Sequence, residues 1–121
     1  MPEDACIFCD ISRRQAAHVY ETRHTFAIPD RAPASPGHTL IITKRHVSSV
    51  FDLTDEEWTD IGAALRALRD RLGLEQATDS FRIGINTGAE AGQTVFHAHV
   101  HLIPQKKLGQ PGQSNTSHDA S

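Results

Sequence analysis

Hydrophobic positions along the chain recur with two different periods. From Thr54 onward the period is helical: Trp58, Ile61, Leu65, Leu68 and Leu72 fall at 3-4-3-4 spacing. That is one apolar stripe over about five turns. Thr54 suits an N-cap, and Glu57 three residues later completes a capping box. Leu53 and Trp58 stand where a hydrophobic staple would place them, and Gly73 stands at the C′ position. The pattern predicts a helix over 55–72, with Trp58 a packing residue and not a ligand-stacking one. A shorter helix is expected over 7–15. Elsewhere the period is two. Phe81-Arg82-Ile83-Gly84-Ile85 alternates, as does the chain from Val95. Strands are expected over 19–21, 25–29, 38–43, 81–87 and 95–104. The first three are joined by short connections bearing Pro, Gly and Asp, which favours antiparallel pairing. With one long helix interrupting them, the fold class is α+β and not a βαβ repeat.

Composition narrows the picture. At 121 residues the chain has material for one domain and one core. The segment from Gly109 to Ser121 holds nothing that could build a core, so the folded domain is expected over 1–107 and a disordered tail over 108–121. Two cysteines are too few for a disulfide scaffold. The longest aliphatic run, Leu40-Ile41-Ile42, is far short of the roughly 18 residues of a membrane span. The start, Met-Pro-Glu-Asp, has no hydrophobic segment behind it and is not read as a signal peptide. A formal charge of -3 is a poor match to a nucleic-acid backbone. A cytoplasmic domain without nucleic-acid or membrane partners is expected. Its unusual feature is histidine: eight, against five Phe, one Tyr and one Trp.

Three of the eight lie in Phe96-His97-Ala98-His99-Val100-His101-Leu102. On a strand, His97, His99 and His101 project to one face, successive ones about 6.7 Å apart, while Phe96, Ala98, Val100 and Leu102 cover the core. One imidazole on such a face is usually structural. Three with apolar residues strictly between them point to ligating or nucleophilic nitrogens. Just upstream, 86–95 carries Gly88 and Gly92 among small residues, where backbone N–H groups could crowd an anion. No Gly-Lys-Ser/Thr follows, so it is no Walker A loop. Cys6-x-x-Cys9 has the spacing of half a zinc site; a reduced, empty pair and a disulfide are the other readings.

Gly92-Gln93-Thr94-Val95-Phe96-His97-Ala98-His99-Val100-His101 resembles the signature of the histidine triad (HIT) family, in its nucleotide-binding protein branch. Cys6 to Ile11, Phe26 to Asp30, and Gly37 to His46 resemble the same family in order and spacing. The resemblance implies a five-stranded antiparallel sheet with one long and one short helix, paired into a homodimer. It implies cleavage at the α-phosphate of a purine nucleotide conjugate, with His99 as a nucleophile that forms a covalent nucleotidyl-imidazole. By position, His101 and Gln93 would contact phosphate, Thr94 would sit near the leaving group, and Asn86 near the phosphate or bridging atom. Asp30 would take the ribose hydroxyls, and Phe8 and Ile28 would wall the base. His38 matches a histidine beside the phosphate; bonding to backbone at a strand start is its plainer reading. Arg31 departs from the aliphatic residue usual at its position. A structural Zn²⁺ held by Cys6, Cys9, His46 and His97 is implied as well, and no Mg²⁺ requirement, since no carboxylate cluster flanks the triad. His18 and His24 are expected at the surface without a role. The expected substrate class is a nucleoside phosphoramidate. Dinucleoside polyphosphate hydrolysis is one alternative, and a zinc-stabilised nucleotide-binding scaffold with little turnover is another.

Overall fold

The two strands richest in apolar residues, β2 (Thr25–Pro29) and β3 (Thr39–Thr43), pair antiparallel at the middle of the molecule. Structural description rests on a computed structural model and covers residues 6–106. The expected tail over 108–121, with His118, lies outside the described residues. Tyr20–Glu21 (β1), Phe81–Gly84 (β4) and His99–Pro104 (β5) complete a five-stranded sheet of order β1-β2-β3-β5-β4, antiparallel throughout. β3 is buried at all five positions because both faces of the sheet are covered, which is why its sequence runs apolar without alternating. Phe26, Ile28, Leu40 and Ile42 lie under helix α1 (Ile7–Ser12), with its Phe8, Cys9 and Ile11. Ala27, Ile41, Val100 and Leu102 lie on the opposite face, under Ile61, Ala64, Leu68 and Leu72 of helix α2 (Asp55–Glu75).

α2 begins as its sequence predicts. Thr54 Oγ1 accepts from the Glu57 N–H at 3.1 Å, and Glu57 Oε1 accepts from the Thr54 N–H at 2.8 Å. Two expectations for this helix need correction. It continues through Gly73 to Glu75, and the left-handed residue beyond it is Ala77, at φ 52°. Gly73 is there for proximity: the chain folds back so closely on the last turn of α2 that a Cβ would lie 2.9 Å from the Thr78 carbonyl oxygen. Trp58 is 40% exposed. The buried line is Glu57, Ile61, Ala64, Leu68 and Leu72, so Glu57 takes the inward place in the first turn and Trp58 is rotated about 100° away from it. A buried Glu is tolerated because Arg45 grips it with two hydrogen bonds, Nε to Oε2 at 3.0 Å and Nη2 to Oε1 at 2.9 Å.

The other departures gather near one end of the sheet. The short helix ends at Ser12, followed by a 3₁₀ turn over Gln15–Ala17, in place of the single element expected over 7–15. His18, expected at the surface, stacks on Phe26 with ring centroids 4.6 Å apart and places Nε2 3.0 Å from the Ile11 carbonyl, so it is structural packing. β4 stops at Gly84, where it pairs with His101, and β5 starts only at His99. Residues 85–87 and 95–98 are therefore unpaired with each other, and the sheet opens there. That opening is where the histidines face a cavity.

Candidate active site

His99 and His101 are on β5 opposite Ile42 and Leu40, on the α1 side of the sheet. Their rings lean together, with centroids 5.2 Å apart. His97 is not on the strand. The β3–β5 ladder gives way after the Ile42–His99 pair, and Ala98 N–H donates instead to the Val47 carbonyl at 2.6 Å. The chain bends through 95–97 and turns the fully buried His97 toward α1. The expectation of three imidazoles along one straight strand is thus corrected: two share the cavity wall, and the third belongs to a separate cluster.

The buried His99 has a fixed tautomer. Its Nδ1 is 2.7 Å from the His97 carbonyl oxygen, which can only accept, so Nδ1 carries the hydrogen and Nε2 carries the lone pair. Phe8 packs edge-on against this ring, with centroids 5.2 Å apart, and holds its plane. A neutral imidazole presented this way is a nucleophile or a hydrogen-bond acceptor.

Behind His101 is the buried His38, whose Nε2 is 2.9 Å from His101 Nδ1 and 3.3 Å from Asp30 Oδ2. Asp30 Oδ1 accepts from the Ala32 N–H at 2.9 Å. Burial holds the His38 pKa below the ordinary 6.5, against the opposing pull of Asp30. Burial is also the main cause of the lowered His101 pKa, with His99 and His38 acting in the same direction and Asp30 opposing. Both rings therefore favour the neutral form at neutral pH.

A cavity of about 300 Å³ lies in front of these groups, a size usual for small-molecule sites. Phe8, Ile28, Asp30, Asn86, Thr94, His99 and His101 all line it. Arg31 lines it too, so the departure noted in the sequence lies at this pocket. Sequence reasoning missed Ile7, Ile11, Leu40 and Val95, which are also in the lining. The i, i+4 spacing of Ile7 and Ile11 on a short helix was the available signal. Gln93 is placed differently from the expected phosphate contact. It is buried, its Oε1 accepts from Gly88 N–H at 2.8 Å, and its Nε2 donates to Ser48 O at 2.8 Å and Val95 O at 3.1 Å. The loop's amides also differ from the expected anion nest: Ala91, Gly92 and Gln93 N–H groups donate to Gly88 and Ala89 carbonyls, closing a tight turn. Gly88 at φ 93° and Gly92 at φ 96° are the left-handed positions that make that turn.

The second cluster joins Cys6, Cys9, His46 and His97, whose four ligand atoms all lie within 4.8 Å of one another. Cys6 is the N-cap of α1 and Cys9 its third residue, so an i, i+3 spacing sets both thiols on one side. The cysteines are not joined in a disulfide. Sγ of Cys6 is 3.3 Å and Sγ of Cys9 3.5 Å from His97 Nδ1, and Cys9 Sγ is 3.1 Å from His46 Nδ1. His97 Nε2 is 2.6 Å from the Thr43 carbonyl oxygen, so the hydrogen is on Nε2 and the Nδ1 lone pair faces the thiols. Tetrahedral zinc with bonds of about 2.3 Å to sulfur and about 2.05 Å to nitrogen has N···S edges of about 3.6 Å. Donor type, tautomer and spacing all fit such an ion. Asp30, His38 and His101 also lie within 4.8 Å of one another, but the hydrogen that His38 carries on Nε2 faces the other two.

The chain is 38% identical to "Protein hit" of Bacillus subtilis over 86% of this chain and 73% of that protein. It is likewise 38% identical to the bis(5'-adenosyl)-triphosphatase of Dictyostelium discoideum, over 78% of this chain and 64% of that protein, so it spans under two thirds of the latter's length. Among solved structures, a Zn-bound histidine triad family protein from Mycobacterium smegmatis superposes with a TM-score of 0.75 at 33% identity, covering 87% of this chain and 78% of the other. No helix among the described residues is long and apolar enough to cross a membrane. The family model described as "HIT domain" matches residues 12–108, and on that match the chain belongs to the HIT family.

Proposed function

We propose that this chain is a hydrolase of nucleotide conjugates that cleaves at the α-phosphate through a covalent nucleotidyl-His99 intermediate. The observation that carries the reading is the hydrogen bond from His99 Nδ1 to its own chain at His97, which puts a lone pair on Nε2 in a lined cavity. In this reading Nε2 attacks the α-phosphorus, the bond to the leaving group breaks with its electron pair, and the leaving group takes up a proton. Water then cleaves the phosphorus–nitrogen bond and releases the nucleoside monophosphate. Phe8 and Ile28 wall a purine and Asp30 accepts from the ribose hydroxyls. Asn86, Thr94 and His101 meet the phosphate and leaving group, with His38 behind His101. Gln93 contributes through the loop it braces.

The leaving group we favour is an amine, making the activity that of a nucleoside phosphoramidase. The kinship to a bis(5'-adenosyl)-triphosphatase favours a second reading, in which the leaving group is a nucleotide of a dinucleoside polyphosphate. Zn²⁺ held by Cys6, Cys9, His46 and His97 would be structural, tying α1 to the loop before β5; the Zn-bound relative supports this. The catalytic unit is the domain over 1–107, in a reducing, cytoplasmic setting where such thiols persist. It works as a homodimer: β4 is an edge strand, and Ile83, 58% exposed, and Trp58 are apolar groups available to a second copy. The test is intact-mass detection of a nucleotidyl adduct after quenching in denaturant at alkaline pH, where a phosphorus–nitrogen bond survives, mapped to a residue, with adenosine phosphoramidate and diadenosine triphosphate as substrates. An adduct on His99 that is lost in His99→Ala is expected. Unchanged hydrolysis by His99→Ala would refute the nucleophile, and faster triphosphate cleavage would replace the first leaving group by the second. Sedimentation as a monomer would refute the dimer.

A further inference from the structure

One hydrogen and two acceptors meet at His38. The Ala34 N–H donates to His38 Nδ1 at 3.0 Å, so neutral His38 keeps its own hydrogen on Nε2. That hydrogen has His101 Nδ1 at 2.9 Å and the Asp30 carboxylate at 3.3 Å, and it cannot serve both with good geometry. The nearer acceptor is a neutral ring, while the farther one is charged and intrinsically stronger. Given to His101, the hydrogen makes His101 Nδ1 an acceptor and confines that ring's own hydrogen to Nε2. Given to Asp30, it must turn with the His38 ring away from His101, because two N–H groups cannot face each other at 2.9 Å; only in that rotated arrangement can His101 hold its hydrogen on Nδ1, on the side of Asp30 Oδ2 at 4.0 Å.

We propose that Asp30 is the element that decides between these two states, and that a ligand's vicinal hydroxyl pair, by donating to the Asp30 carboxylate, commits His101 to the Nε2–H tautomer. This rests on the nucleotide reading above. Hydroxyls on Asp30 satisfy its lone pairs and return the His38 hydrogen to His101. His101, in the cavity wall beside His99, then offers a donor at Nε2, away from His38, to a phosphate oxygen. Because burial keeps both rings neutral, the choice of tautomer is the variable and not the charge. Ribose recognition is thereby converted into rate. A contact that merely held the sugar would act equally in the ground and transition states and would change KM alone.

Two measurements on the full chain test this. With ring-¹⁵N histidine, long-range ¹H–¹⁵N spectra report which nitrogen of His101 carries the hydrogen. Saturating AMP is expected to move His101 to the Nε2–H form, and saturating 2′,3′-dideoxy-AMP to leave it as in the ligand-free chain. The same His101 tautomer with both nucleotides would overturn the proposal and leave the nucleotide reading standing; failure of either nucleotide to shift any cavity resonance would remove both. In the second measurement, kcat for an adenosine phosphoramidate is compared with that of its 2′,3′-dideoxy analogue. The ratio is expected to be about tenfold in the unaltered chain, the scale of one hydrogen bond, and within about twofold in His38→Ala. A ratio that survives His38→Ala, or that falls wholly in KM, would refute the coupling.

Discussion

Glu57 is the group whose removal tests the framework most directly, because three independent hydrogen bonds converge on one buried carboxylate. Oε1 accepts from the Thr54 N–H at 2.8 Å and from Arg45 Nη2 at 2.9 Å, and Oε2 accepts from Arg45 Nε at 3.0 Å. Glu57→Ala removes the return half of the capping box, an effect of about 1 kcal/mol. It also removes a charge-assisted pair. Hydrogen bonds to charged groups contribute about 1.5–3 kcal/mol, but Arg45 is half exposed and regains water, so the lower end applies. The expected loss is about 2–3 kcal/mol, read by urea unfolding at pH 7, with a fall in Tm on the order of 10 °C. Glu57→Gln keeps an acceptor for Thr54 and should lose only about half as much. The pH dependence has a definite sign. Hydrogen bonds from Arg45 hold the Glu57 carboxyl below the ordinary 4.5, against burial. A depressed carboxyl stabilises the fold above about pH 4.5 and loses that contribution as pH falls through its folded-state value. The stability gap between the unaltered chain and Glu57→Gln should therefore be constant from pH 6 to 8 and narrow below about pH 4.5. A loss under about 0.5 kcal/mol in Glu57→Ala, or a gap that widens in acid, would refute the assignment of Glu57 as a buried, Arg-held anion.

Three further outcomes are expected. Gly73→Ala should destabilise the chain by about 1 kcal/mol or more, although the same change inside a helix ordinarily helps, because the new Cβ would lie 2.9 Å from a backbone oxygen; a raised Tm would contradict that close approach. Gln93→Ala leaves the Gly88 N–H and the Ser48 carbonyl without their partner, and should cost about 1–3 kcal/mol by chemical denaturation and raise KM through the loosened loop; an unchanged midpoint would show that water replaces the side chain. Prolonged chelation should lower Tm and make both Cys6 and Cys9 alkylatable within minutes, as counted by mass; equal labelling before and after chelation would argue against a bound metal ion.

How far the sequence could be read depended on whether the deciding partner was near in the chain. The capping box at Thr54 and Glu57 spans three residues, and it formed as the pattern indicates. The alternation Val100, Leu102 against His99, His101 held because β5 is paired on both sides. The same alternation extends without a break back through His97, yet the strand does not, since only the pairing of Ala98 with Val47 decides where the ladder ends. Glu57 cannot be told from an exposed helix residue without Arg45, twelve residues earlier, and the apolar spacing points Trp58 inward in its place. Gln93 looked like a ligand contact because its partner, the Ser48 carbonyl, is 45 residues away. The four-residue Cys/His cluster is the opposite case. Its members are scattered from position 6 to position 97, but the resemblance placed them together, and the geometry brings their ligand atoms within reach of one another.

α1 has only six residues, and they are shared between two tasks. Cys6 at its cap and Cys9 within it turn to the Cys/His cluster, while Ile7, Phe8 and Ile11 form part of the cavity wall. A helix this short has no stability of its own in water. Its persistence comes from the Phe26, Ile28, Leu40 and Ile42 surface beneath it and from the cluster at its start. The wall of the cavity and the cysteine pair are therefore expected to open and close as one cooperative unit. Amide exchange in that turn, the readiness of its thiols to react and the competence of the pocket to take a ligand should then change together, as three readings of a single local equilibrium.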